Sequence, residues 1–157
     1  MKMLDNLFDG KVDVKTDSRY QDDYISLTQN AIGMKTADVY FLSLIIGYRN
    51  GMSVPAQDSK GKEFRPSYFT SLQKNLLYGF ILNLPDVNIE DMTDGGQIMR
   101  IFAECTSYSN GGIEWLRANV FSDQLSESGS INADAEVIIE RLNQMIHDQL
   151  NPEVAPF

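Results

Sequence analysis

The ten residues Val39–Tyr48, VYFLSLIIGY, decide the fold, because they are apolar on nearly every side of a helix. A segment of about three turns that is this hydrophobic is buried rather than amphipathic. Thr36 is a suitable N-cap for it, and Asp38 is favourable in the positively polarised first turn. Gly51 suits the left-handed position that closes such a helix. The sequence therefore predicts a central buried helix around which the other elements pack.

Apolar residues recur at spacings of three and four elsewhere in the chain, which is typical of helices with one buried face. Five further helices are predicted, over residues 18–33, 66–83, 94–109, 113–120 and 131–146. The pairs Gly95-Gly96 and Gly111-Gly112 are interpreted as helix breaks. The predicted fold class is all-α, a single compact bundle of about six helices with one loop or short hairpin around residues 52–65.

A chain of 157 residues has the size of one ordinary domain. We expect a flexible N-terminal arm over residues 1–16, a single helical domain over residues 17–150 and a C-terminal tail over residues 151–157. No apolar run approaches the length of a bilayer span, and the N-terminus lacks the apolar core of a secretory signal. The prediction is a cytoplasmic protein that does not contact a membrane.

The charge balance disfavours autonomous DNA binding. Thirteen basic residues against 22 acidic ones give a formal net charge of −9, which repels a phosphate backbone. Residues 35–74 differ from the rest, with six basic and three acidic residues. Candidate contacts to a partner or to nucleic acid are these six cations and the single tryptophan: Lys35, Arg49, Lys60, Lys62, Arg65, Lys74 and Trp115. Arg49 is equally suited to capping carbonyl groups at the end of its helix.

The sequence contains no strong catalytic motif. One cysteine and one histidine exclude an internal disulfide and a usual structural zinc site. Cys105 and His147 are conceivable as a nucleophilic pair, but Cys105 falls on an apolar stripe, where a thiol usually serves as a small hydrophobe. Glu136 and Glu140 lie one turn apart and either bind a cation or stabilise the positive end of the last helix. The prediction is no catalytic, cofactor or metal site.

Three stretches taken together resemble one family. They are GMKTADVYF at residues 33–41, IGYRNG at 46–51 followed by VP at 54–55, and SNGGIEWL at 109–116. These are similar to the characteristic blocks of small bacterial proteins associated with the Dnd DNA-phosphorothioation systems, the fourth accessory type. The resemblance covers residues 18–121. It implies a non-catalytic accessory component of an antiphage defence island, encoded near large ATPases and nucleases.

The leading functional hypothesis is a non-enzymatic accessory subunit that binds a large ATPase or nuclease of a defence and restriction module, with DNA contacted only indirectly or within the complex. The acidic last helix and the basic loop give it two oppositely charged faces for an oriented encounter. Three alternatives stay open. They are a DNA-contacting regulator that uses the basic segment 35–74, an accessory subunit of an SMC-type ATPase defence complex, and a hydrolase built on Cys105 and His147.

Overall fold

The computed structural model describes residues 8, 12–85, 87 and 95–150, and this part of the chain is mainly helical. The predicted C-terminal tail, residues 151–157, lies outside the described residues. Two short strands and five α-helices occur in the described ranges: β1 (Val14–Lys15), α1 (Gln21–Leu27), α2 (Thr36–Arg49), β2 (Glu63–Phe64), α3 (Ser71–Leu82), α4 (Gly95–Asn119) and α5 (Ala135–Leu150). Short 3₁₀ turns at Ser18–Tyr20 and Pro66–Tyr68 precede α1 and α3.

The central buried helix is confirmed as α2. Val39, Tyr40 and Leu44 are buried in it, and its last residue is Arg49. The N-cap is Lys35 rather than the predicted Thr36, because the Asp38 side chain reaches back and accepts a hydrogen bond from the Lys35 backbone N–H at 2.9 Å. Satisfying an N–H at this end of the helix sets where it begins.

The predicted break at Gly111-Gly112 is wrong, because α4 continues through both glycines. Their role is a close approach to α2. A Cβ atom on Gly112 would lie 1.7 Å from the Ser43 carbonyl oxygen, and one on Gly47 would lie 2.0 Å from the Tyr108 carbonyl oxygen. Glycines on both helices therefore let the two backbones touch. The bundle has five described α-helices instead of six because the predicted fourth and fifth helices are one.

The chain that leaves α2 stays against α4. The backbone N–H of Val54 donates to the Ser107 carbonyl at 2.9 Å, and the N–H of Met52 donates to the Gly47 carbonyl at 2.8 Å. A Cβ atom on Gly111 would lie 2.0 Å from the Met52 carbonyl oxygen. The start of the 52–65 loop is thus packed against a helix through backbone groups.

The expectations of an all-α fold and of a flexible arm over residues 1–16 both need correction. β1 pairs antiparallel with β2, with Val14 opposite Phe64. Val14 and Thr16 are buried, so the described end of the predicted arm is part of the domain. The end of the 52–65 loop therefore forms a strand with the N-terminal segment, and not a hairpin within the loop. Val14 and Phe64 are both buried, so the pairing covers apolar surface while each strand satisfies backbone groups of the other.

Buried carboxylates anchor the segment that leads into α1. Asp17 is buried and accepts two hydrogen bonds from the Arg19 guanidinium, at 2.9 and 2.6 Å. It also accepts from the Gln57 backbone N–H at 3.1 Å and from Asn110 Nδ2 at 3.4 Å. One carboxylate therefore connects the N-terminal segment, the 52–65 loop and α4.

A second buried carboxylate connects α1, α4 and the segment before α5. Asp23 is buried and receives the Arg117 guanidinium, with Nε of Arg117 at 3.0 Å from Oδ1. The same Oδ1 accepts from the Ile131 backbone N–H at 2.8 Å. Arg117 also lies over the Tyr20 ring, 4.9 Å from its centroid. Because Ile131 is held by Asp23 and bridges to Leu125, α5 begins at Ala135 and not at Ile131 as predicted.

The helix predicted from Pro66 begins later, at Ser71. Thr70 is its N-cap, with Thr70 Oγ1 accepting from the Gln73 N–H at 3.1 Å and Gln73 Oε1 accepting from the Thr70 N–H at 2.9 Å. This reciprocal capping box defines a helix start more strongly than a proline does.

The hydrophobic core of the described residues forms one cluster that extends from Phe8 to Met145. Within the described ranges, no helix has the length and apolar character needed to cross a bilayer.

The α2–α4 contact predicts opposite effects of the same substitution at two helical glycines. Gly112→Ala places a methyl group 1.7 Å from the Ser43 carbonyl oxygen, so we expect a loss of about 3 kcal/mol of unfolding free energy from overpacking. Gly79→Ala is the matched control, because nothing lies within 4 Å of a Cβ atom there, and it should stabilise α3 by about 0.5–1 kcal/mol. Urea unfolding measures both, and a neutral Gly112→Ala would contradict the close contact.

The Asp17 network predicts a specific loss of stability in acid. Burial by itself raises the pKa of Asp17, but hydrogen bonds from the Arg19 side chain and backbone and from Gln57 lower it to about 2, from an ordinary value of 3.8. A lowered folded-state pKa stabilises the fold above the ordinary value, and this contribution disappears as the pH falls toward 2. It amounts to about 2 kcal/mol.

The stability difference between the wild-type protein and Asp17→Asn should therefore shrink by about 2 kcal/mol between about pH 5 and pH 2. Urea unfolding at a series of pH values measures it. The exposed Asp13, replaced by asparagine, serves as the control. A difference that stays constant with pH would show that Asp17 does not stabilise the fold as a carboxylate.

Candidate functional site

The seven predicted contact residues do not form one surface. Lys35 and Lys62 line one cleft, and Arg49 and Trp115 line a groove elsewhere on the bundle. The remaining three, which line neither of these, are Lys60, Arg65 and Lys74. Lys60 and Arg65 are exposed, whereas Lys74 is half-buried on α3. The structure therefore places four of the residues in two candidate sites and leaves three cations outside both.

The cleft lies between the start of α2 and β2 and has a volume of about 590 Å³. Two lysines and two carboxylates line it, namely Lys35, Lys62, Asp38 and Glu63. Asp38 is already engaged, because its Oδ1 accepts from Gln73 Nε2 at 3.0 Å while its other oxygen caps α2. A cleft of mixed charge attracts a polyanion less than a surface of basic residues alone does.

The Lys60-Gly61-Lys62 tip is anchored by its backbone. The Lys62 carbonyl accepts from the Thr16 N–H at 3.1 Å and from Thr16 Oγ1 at 2.7 Å, and the Gly61 N–H donates to the Thr16 carbonyl at 3.0 Å. The Lys62 N–H donates to Gln21 Oε1 at 3.1 Å. The two lysine side chains are exposed, but the loop that carries them is held against the N-terminal segment.

The groove is built from two hollows on either side of Trp115, between the C-terminal halves of α2, α4 and α5. One hollow, of about 110 Å³, is mostly apolar, and the other, of about 210 Å³, is more polar. Three residues line both hollows, Trp115, Met145 and Gln149. We name this surface the Trp115 groove. The apolar hollow is completed by Leu42, Ile45, Ile46, Arg49, Asn50 and Ile146.

The two arginines of the Trp115 groove differ in what they contact. Arg141 in the polar hollow is paired with Asp123, with N–O distances of 2.6 and 2.9 Å, and also donates to the Val120 carbonyl. Arg49 is exposed at the edge of the apolar hollow, and no described carboxylate pairs with it. Arg49 is therefore available to a carboxylate from outside the described part of the chain.

The side chains in the Trp115 groove are of the kinds that contribute most to protein interfaces. Tryptophan and arginine are enriched among the residues whose loss weakens binding most. Trp115 is half-buried and Ile146 is 41% exposed, so apolar side chains both within the groove and at its edge are accessible to solvent. Sequence periodicity placed Ile146 on the apolar stripe of the last helix, but it could not tell that α5 leaves this residue uncovered.

The possible catalytic pair is not supported by its surroundings. Cys105 is buried in the core face of α4, and burial raises the pKa of its thiol. His147 lies on the exposed part of α5. A buried thiol with a raised pKa is a poor nucleophile.

Glu136 and Glu140 are exposed, and the described residues contain no group of three or more His, Cys, Asp or Glu side chains suited to a metal ion.

No pattern in the sequence singles out the buried carboxylates Asp17 and Asp23, which organise the fold. Aspartates near a helix start look like ordinary capping residues, so only their distant partners, Asn110 and Arg117, identify them as network centres.

No family model, no curated protein and no solved structure matches this chain.

Proposed function

We propose that this protein is a non-enzymatic accessory subunit that binds another protein through the Trp115 groove. The observation that supports it most is the pair of hollows that share Trp115, with Arg49 exposed at the edge of the apolar one. Small apolar hollows with a charged rim have the arrangement of a protein interface, where an apolar centre is surrounded by polar groups.

The lining of the groove favours one class of partner segment. Its apolar hollow lies between α2 and α5, two helices that present Leu42, Ile45 and Ile146 to the same space. An amphipathic helix places side chains into such a groove at spacings of three and four residues. Arg49 at the edge favours a carboxylate on that helix, since an arginine and a carboxylate form paired hydrogen bonds.

We further propose that the partner is a large ATPase or nuclease of a cytoplasmic antiphage defence module. This rests on the resemblance of residues 18–121 to accessory proteins of the Dnd systems, and no structural match adds to it. A coiled-coil SMC-type ATPase is the alternative partner within the same class. In either case the subunit acts by binding, and DNA is contacted only indirectly or within the complex.

DNA binding through the basic segment 35–74 is the second candidate. The observation in its favour is that the fold brings Lys35 and Lys62 to one cleft. Asp38 and Glu63 in the same cleft reduce its attraction for phosphate. If this candidate is right, Lys35→Glu should abolish a low-salt mobility shift, and the affinity of the wild-type protein should fall steeply with salt. The absence of any shift at low salt would eliminate it.

The Trp115 groove predicts which surface substitutions release the partner. Ile146→Lys adds a charge beside the apolar hollow, and Arg49→Glu reverses the charge at its edge. Each should lower the recovery of the specific partner by more than about tenfold, because each sets an uncompensated charge against the partner. Affinity purification from the native cell followed by quantitative mass spectrometry measures this.

Two matched variants control for effects on folding and on net charge. Ile139→Lys changes a similarly exposed isoleucine on the same helix, and Arg65→Glu makes the same charge reversal away from the groove. Both should retain the partner. A protein that purifies alone, or a partner equally retained by Ile146→Lys and Arg49→Glu, would contradict the proposal.

A further inference from the structure

The outward side of α3 is a second apolar surface, separate from the Trp115 groove. Leu72, Leu76 and Leu82 are 68%, 50% and 42% exposed. At about 100° per residue, Leu72, Leu76 and Gly79 fall in one narrow sector of the helix, with Leu82 at its edge. We name Leu72, Asn75, Leu76, Gly79 and Leu82 the α3 outer face. Contiguous exposed apolar surface of this kind marks interaction sites.

Gly79 is not explained by the packing of the domain. A Cβ atom at Gly79 would meet nothing within 4 Å, in contrast to the collisions at Gly47, Gly111 and Gly112. Its backbone is ordinary helix and not the left-handed conformation that favours glycine. Glycine within a helix lowers helix stability. Gly79 therefore leaves a notch between the exposed leucines of α3. The backbone of another helix can approach closely at this notch.

We infer that the α3 outer face binds the same face of a second copy of this chain, with the two α3 helices crossing at Gly79. In a two-fold contact a group near the symmetry axis lies close to its own counterpart, so a charge near Gly79 would face a like charge. The outer face carries none. Between residues 66 and 85 the only charged residue is Lys74, which is half-buried and about 160° around the helix from Leu72.

The charge distribution along the chain favours the α3 outer face as the contact between copies. The chain carries a net charge of −9, and the segment from residue 66 to residue 85 contains no acidic residue. A contact between two copies through this segment therefore brings no acidic side chain of the segment against another. A charged foreign partner, in turn, finds no group of opposite sign on the α3 outer face.

The size of α3 sets the strength of the contact. Twelve residues give a helix about 18 Å long. A standard interface covers about 800 Å² per copy, about a tenth of the 8868 Å² surface of the described chain. One short helix face supplies less than that, so the contact belongs to the weak, reversible class. Salt should strengthen the association, because it screens the repulsion between two acidic molecules.

Sedimentation velocity of the full-length purified protein, from about 1 µM to about 1 mM, tests the inference. We expect a reversible monomer–dimer equilibrium that shifts toward dimer with added salt. Gly79→Gln fills the notch, and Leu76→Lys places a charge opposite its own copy. Each should weaken dimerisation by at least about tenfold. Ile25→Lys, at a similarly exposed isoleucine on α1, is the control and should leave the equilibrium unchanged.

A thermal melt at about 1 µM, where the wild-type protein is expected to be monomeric, distinguishes loss of the contact from loss of the fold. Gly79→Gln should melt at a higher temperature than the wild type, because glutamine is the better helix former. A protein that remains monomeric at every concentration overturns the inference. So does a dimer that Gly79→Gln and Leu76→Lys leave intact. If the protein is monomeric and Leu76→Lys loses the native partner, the face binds a foreign protein instead. The variants Ile146→Lys and Arg49→Glu test the Trp115 groove independently.

Discussion

The rest of the structure depends on one contact, the direct approach of the α2 and α4 backbones at Gly47 and Gly112. Side chains at these positions would lie 2.0 Å or less from carbonyl oxygens of the opposite helix. With the two helices this close, Tyr40 reaches across and its hydroxyl group pairs with Thr106 Oγ1 at 2.9 Å. The contact therefore decides which side of α2 is buried and how far its ends lie from α4.

Polar networks connect the remaining segments to this helix pair. Asp17 connects the N-terminal segment and the 52–65 loop to α4, and Asp23 connects α1 to α4 and to the segment before α5. A buried carboxylate that loses its partner is strongly destabilising, so such groups tolerate few alternative arrangements. The acidic side chains inside the domain thus hold its parts together, while those outside give the protein its negative surface.

The two candidate binding surfaces follow from what the helix pair leaves uncovered. α5 packs against the bundle through Ile138, Leu142 and Met145. Ile146, at the edge of this stripe, stays exposed beside Leu42 and Ile45, and this produces the Trp115 groove. α3 buries Leu77, Phe80 and Ile81 and leaves its opposite side to solvent. The surfaces have different chemistry, since one has Arg49 at its edge and the other is uncharged.

The sequence by itself determined the helical elements, because apolar periodicity and the buried segment 39–48 report which faces must leave water. It also placed Arg49 and Trp115 among the candidate residues, although not beside each other. It misjudged Gly111-Gly112, since a glycine pair that ends a helix and one that admits a neighbouring backbone look the same in one chain. Tertiary structure alone decided the strand pairing of Val14 with Phe64, the partners of Asp17 and Asp23, and the exposure of Leu72 and Leu76. Each of these depends on residues far apart in sequence, whose approach is set by packing and not by local preference.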